Sequence, residues 1–224
     1  LLPPERTRLA TATLVGEPWG GSSLHGEVSF SQHDGNLFSD QADGDNGAAA
    51  LDLQFAPFTR DVGGGHVGWD VHLSQLSPRF TALGRTRPGF YYKDWNAEQD
   101  SLEATQRLAE TTLRYERGGD TPWLRFLANA GALDRGDDLE TQRGQFDFGL
   151  GRADRRVDMQ WQRLDTDRPV LGPDAGRRRH FARAGGRYRL GPFVPEVGFE
   201  SDEFVRADID SLVRPSYRYR DGRG

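Results

Sequence analysis

The stretch QFDFGLGRADRRVDMQW, residues 145–161, decides the fold. Phe146, Phe148 and Leu150 alternate with Gln145, Asp147 and Gly149; after a short polar turn, Val157, Met159 and Trp161 alternate with Asp158 and Gln160. A period of two predicts a β-hairpin with one oily and one charged face. The oily face must meet a protein core, a partner or a lipid bilayer, and the hairpin alone does not decide which.

The same pattern recurs along the chain, broken by Gly, Pro, Asp and Asn clusters. It predicts strands over 7–15, 23–33, 49–58, 66–75, 103–115, 122–133, 143–151, 156–165, 179–190, 193–202 and 212–220. The one helix candidate, Glu98–Arg107, carries too few apolar residues to dock a face. Short connections (16–22, 59–65, 116–121, 152–155, 191–192) alternate with longer ones (34–48, 76–102, 133–142, 166–178, 203–211). Short turns at one rim and long loops at the other are the rhythm of an up-and-down meander. A Greek-key sandwich has no reason to keep it. The expected fold is therefore all-β, an antiparallel up-and-down meander of about 10–11 strands forming part of a transmembrane β-barrel.

Charge placement supports a bilayer. Leu24, Val28 and Phe30 oppose His25 and Glu27; Leu51, Leu53 and Phe55 oppose Asp52 and Gln54; Val67, Trp69, Val71 and Leu73 oppose His66, Asp70 and His72. Leu124, Phe126 and Ala128 oppose Arg125 and Asn129; Val197 and Phe199 oppose Glu196 and Glu200; Val213, Tyr217 and Tyr219 oppose Arg214 and Arg218. A lipid-facing Lys or Arg at mid-bilayer costs ~2–4 kcal/mol, so a charge-free phase is what hydrocarbon demands. The expected lipid-facing set is Phe30, Leu51, Leu53, Phe55, Trp69, Val71, Phe126, Phe146, Phe148, Leu150, Met159, Trp161, Val197 and Phe199. The expected lumen-facing set is Glu27, Asp52, Asp70, Arg125, Asp147, Asp158, Glu196, Arg214 and Arg218. Arg107 shares the oily phase and should lie beyond the hydrocarbon. Trp19, Trp69, Tyr115, Trp123, Tyr188, Tyr217 and Tyr219 fall near strand ends, where amphipathic rings favour the headgroup level.

Composition is compatible with this. Among 224 residues 35% are hydrophobic and 28% charged, and mean hydropathy is -0.73. With no run of ~18 apolar residues a helical membrane span is excluded, but a barrel hides its apolar residues in every second position. A net charge of -5, with arginines scattered among acids, argues against a nucleic-acid partner. The absence of cysteine removes disulfides and thiolate metal sites. The opening LLPPERT and closing SYRYRDGRG are expected to be internal to a longer protein, with residues 1–224 a single barrel segment truncated at both ends.

Two stretches are the most motif-like: DGNLFSDQADGDNG (34–47) and GWDVHLSQLSPRFTALGRTRPGFYYKDWN (68–96). With the alternation around them, the chain resembles a segment of a bacterial outer-membrane β-barrel of the large, uncharacterised kind found in Bacteroidota. That resemblance implies a bacterial outer-membrane location, membrane lipid and other envelope proteins as partners, and a pore, transport wall or scaffold with long acidic loops outside. Such barrels commonly finish on a terminal aromatic, whereas this chain ends Asp221-Gly222-Arg223-Gly224. The rival expectation is a soluble extracellular or periplasmic β-sandwich acting as a binding module.

Candidate chemistry is sparse. Asp40, Asp43, Asp45 and Asn46 offer hard oxygens for Ca²⁺, but the EF-hand order and its closing Glu are missing. They read as an acidic loop, with at most loosely held divalent cations and no defined cofactor. His25, His66 and His72 lie in polar phases but on strands that are not all neighbours, and read as solvated rather than as metal ligands. No nucleophile elbow, zinc-protease helix or phosphate loop occurs, so no enzyme is expected.

Overall fold

The computed structural model describes residues 6–34, 47–80, 95, 104–118, 123–136, 138–152, 155–168, 176–190 and 193–206. They form ten strands: β1 (Arg6–Gly16), β2 (Ser23–Asp34), β3 (Gly47–Val62), β4 (Gly65–Leu76), β5 (Gln106–Arg117), β6 (Leu124–Asp134), β7 (Glu140–Arg152), β8 (Arg155–Asp167), β9 (Arg177–Tyr188) and β10 (Glu196–Arg206). All belong to one sheet in sequence order, every neighbouring pair antiparallel. No helix occurs among the described residues. Within them the sheet is open: β1 and β10 are its edges and do not pair with each other. The up-and-down meander is thus present, whereas closure is not, and strand 212–220 lies outside the described residues together with Arg214 and Arg218.

The register carries one apolar face across all ten strands. Phe126 pairs with Phe148, Phe148 with Met159, Met159 with Ala184, and Ala184 with Phe199. On the other side Ala12 pairs with Val28, Val28 with Leu51, and Leu53 with Leu73. Directly opposed residues share a face, so one slipped register would exchange faces from that strand onward. A slip does occur in β3, between Phe55 and Phe58. There Ala56 and Pro57 bulge, and Phe58 returns to the apolar face opposite Trp69. Proline, which donates no ladder hydrogen bond, is tolerated at such a site. Its carbonyl accepts the Trp19 indole N–H at 2.8 Å. Sequence alternation ended β3 at residue 58; the bulge lets it run on to Val62.

The turn that follows uses Gly63 and Gly64 with φ of 60° and 74°. Two successive positive φ values define the type I′ turn that matches strand twist, and glycine adopts them without a Cβ clash. Two connections differ from expectation. The β6–β7 link, expected to be long, contracts to Arg135–Leu139 because the flanking strands extend to Asp134 and Glu140. Phe193 and Pro195, placed in the strand 193–202 by alternation, precede β10, where Leu190 and Phe193 form an isolated bridge.

Burial is inverted relative to a globular sheet. Phe30 is 59% exposed, Met159 48% and Val197 76%. Among the described residues the buried large apolar side chains are Trp95, Leu108, Leu133, Leu139 and Leu164. Leu108, Leu133 and Leu164 sit in the phase opposite the apolar face, toward the long-loop end of the sheet. Leu133→Ala should therefore lower unfolding stability in detergent by about 2–5 kcal/mol, the range for a buried leucine. Leu51→Ala, at a 42% exposed site, should cost much less in the same denaturant titration.

Candidate surface and interior site

The register sorts the expected residues into two sets without exception among those described. Phe30, Leu51, Leu53, Phe55, Trp69, Val71, Phe126, Phe146, Phe148, Leu150, Met159, Trp161, Val197 and Phe199 share the apolar face. Glu27, Asp52, Asp70, Arg125, Asp147, Asp158 and Glu196 share the opposite one. The acidic-loop residues Asp40, Asp43, Asp45 and Asn46 lie outside the described residues.

The charged face is concave. A cavity of about 750 Å³ is lined jointly by Val15 of β1, Gln54 of β3, His72 of β4, Glu110 of β5 and Asn129 of β6. In a flat sheet β1 and β6 would lie roughly 24 Å apart at the usual strand spacing, too far to share one cavity of this size. A second cavity of about 700 Å³ is lined by Arg125, Asp147, Asp158, Arg183 and Glu196. Charges on this face are largely paired: Arg156 with Asp158 at 2.7 Å, Arg179 with Asp202 at 2.7 Å, and Arg114 with Asp70 at 3.5 Å.

A polar network crosses this face from β3 to β7. His72 Nε2 meets Asp52 at 2.7 Å and its Nδ1 lies 3.6 Å from Glu110. Glu110 is also ion-paired with Arg143, which donates to Asn129 Oδ1 at 3.2 Å. Asn129 in turn donates to the Thr112 hydroxyl at 2.8 Å. Glu110 and Arg143 reach each other across β6 because the residue between them in register is Gly131. The same gap admits Trp95 from the β4–β5 connection. A Cβ on Gly131 would come within 2.8 Å of the indole, and the Arg143 guanidinium lies 4.6 Å from the ring centroid. Trp95 is 2% exposed and packs with Leu108, Leu133 and Leu139.

Sequence reasoning missed Trp95, Glu110 and Arg143. Trp95 lies in a connection, where no periodicity is available. The usable signal was Gly131 in an otherwise regular strand, since a glycine there often marks a close approach. The three histidines do not converge. His66 pairs with Asp61 beside the Gly63-Gly64 turn, and His25 stands opposite Gln54. No group of metal-ligating side chains is present among the described residues.

Beyond the apolar belt, toward the long-loop end, the outer phase turns charged. Arg107 stands opposite Asp134, with side chains 3.6 Å apart, and so lies past the last apolar row as expected. Asp165 accepts from Arg163 at 2.6 Å and from Arg178 at 2.7 Å. Partial burial pushes this carboxyl up, but hydrogen bonds from Arg178 and Arg163, with their charge, outweigh it and hold Asp165 below the ordinary carboxylate range.

The class these features define is an all-β chain: one ten-stranded antiparallel meander with segregated faces. Compared with models of protein families, with curated proteins and with solved structures, the chain matches none.

Two outcomes follow. Glu110→Gln should destabilise the fold by about 3–5 kcal/mol, because it leaves the Arg143 charge enclosed and unpaired. Glu110→Leu combined with Arg143→Met should cost less than that single change, which a double-mutant cycle by chemical denaturation reads. Because the Asp165 carboxyl is held low in the fold, its stabilisation is present above the ordinary carboxylate pKa and is lost as pH falls through the folded value. The stability gap between the wild type and Asp165→Asn should therefore close on acidification over that window.

Proposed function

We propose that this chain is wall of an outer-membrane β-barrel, its apolar face against lipid and its charged face lining a water-filled interior. The observation that carries this reading is the inversion of burial. Large apolar side chains are exposed on one face in nine of the ten strands, while charged groups gather on the concave side. In water such a face would be far larger than the apolar patches soluble monomers expose. In a bilayer it is the required outer surface.

The dimensions agree. A 12-residue strand such as β5 spans about 40 Å at the usual rise. Tilted by ~40°, it rises about 30 Å, enough to cross an apolar band of ~25 Å. Short-turn aromatics fit a headgroup girdle: Trp19, Tyr115, Trp123 and Tyr188 stand at that end of the sheet. The soluble sandwich needs a second sheet over the apolar face; the described residues form one sheet.

The interior suits small, hydrated solutes of either charge, since acids and arginines alternate along it. Trp95 and the Glu110–Arg143 pair narrow it from one side. No enzymatic role is assigned, and bound divalent cations would be limited to loosely held ions at the acidic loops. The location is the outer membrane of a Gram-negative envelope of Bacteroidota type, with lipid and neighbouring envelope proteins as partners and no nucleic acid.

The test is insertion. Met159→Arg and Phe148→Arg should each disfavour folding into phosphatidylcholine vesicles by about 2–4 kcal/mol, seen as loss of the heat-modifiable band. Gln160→Arg and Asp147→Arg, one residue away, should fold like the wild type. Equal effects of the two pairs would refute the assignment of faces.

A further inference from the structure

The short-turn rim of the apolar face carries a patch that neither the lipid belt nor the interior uses. Arg152 at the end of β7 stands directly opposite Arg155 at the start of β8, and Arg155 in turn opposes Tyr188. Like charges directly opposite across a ladder repel. The Arg155 guanidinium lies over the Tyr188 ring at 4.7 Å, and Arg117 lies over Trp123 at 5.2 Å. Trp123 ties the two halves together, its N–H donating to Arg117 O at 2.9 Å and its carbonyl accepting from Gly151 N at 2.6 Å. Arg60 on β3 continues the cationic rim in the same outer phase.

Among the described strand residues at this rim, the acids fall in the other phase. Asp61 pairs in register with His66, Glu116 with Arg125, and Glu196 with Arg187. The opposite rim differs, because there the outer phase mixes Arg107 with Asp134 and Arg163 and Arg178 with Asp165. One end of the apolar belt is therefore cationic and aromatic, and the other is charge-balanced.

We propose that the patch formed by Arg152, Arg155 and Tyr188, flanked by Arg117 and Trp123, binds the phosphate of an anionic phospholipid headgroup in the leaflet at the short-turn rim. This rests on the membrane reading above. A phosphate between Arg152 and Arg155 removes their repulsion and accepts charge-assisted hydrogen bonds from two planar guanidinium groups. Tyr188 and Trp123 sit where ring and headgroup meet, and the apolar row of Leu150 and Val157 directly beside them receives the acyl chains.

The experiment uses the full chain in nonionic detergent micelles, with native mass spectrometry of retained lipid. Phosphatidylglycerol should be retained over phosphatidylcholine of the same acyl chains, by about 5-fold per engaged arginine. The double variant R152Q/R155Q should bring the two lipids level, while R163Q/R178Q at the opposite rim should leave the preference intact. Equal retention by the wild type, or equal loss in both double variants, overturns the proposal. Inorganic phosphate binding the wild type as well as phosphatidylglycerol does would overturn the lipid assignment in favour of the free ion. Insertion into phosphatidylcholine vesicles is read on the same protein. A wild type that inserts without headgroup preference loses this site alone, and one that fails to insert loses the membrane reading as well.

Discussion

Everything in this structure depends on a single phase being kept free of charge through the middle of ten paired strands. In a sheet, register transmits the facing of each side chain to its neighbour, so the constraint is collective. Met159 lies on the apolar face only because Phe148 does, and Phe148 only because it pairs with Phe126. The bulge at Ala56-Pro57 is the point where this chain of dependence would otherwise fail. Without it Phe58 would turn onto the charged face and Thr59 onto the apolar one, and the strand would present its wrong side for the rest of its length.

The opposite face obeys the complementary constraint. Acids and arginines gathered on a concave surface must be paired or wet, because an isolated charge in an enclosed site is costly. Most pairs here are partly exposed and contribute little to stability individually. The Glu110–Arg143 pair is different: both side chains are largely enclosed, and a loop tryptophan covers them. Gly131 is what permits this, since any side chain there would fill the space used by the indole and by the ion pair. The charged face is thus filled where the sequence removes a side chain from β6 and supplies one from a loop.

Much of the fold was legible from alternation. The hairpin over 145–161 falls in β7 and β8 with Phe146 opposite Trp161 and Leu150 opposite Val157, as period two requires. The division of the named residues between the two faces of the sheet was legible for the same reason. Three things were not. A bulge changes phase with no change in composition, so only Pro57 hinted that β3 continues. The β6–β7 connection looked long because Asp134 and Glu140 read as loop residues, although both sit in strand ends in the charged rows beyond the apolar belt. Trp95 was invisible because its partners Leu108, Leu133 and Leu139 come from three separate segments, and such contacts have no local period. The Arg152–Arg155 opposition could have been read from the turn RADR, where two residues separate like charges, had the rim been considered apart from the belt.

The account stands most directly on which side chains of β7 touch hydrocarbon. Single cysteines at positions 145 through 150, spin-labelled in the folded protein in phosphatidylcholine vesicles, can be compared for collision with oxygen and with a water-soluble nickel chelate. Labels at 146, 148 and 150 should favour oxygen, and labels at 145, 147 and 149 the chelate, in strict alternation. Uniform access of the chelate to all six positions would contradict a lipid-facing surface and return the sheet to the soluble proteins.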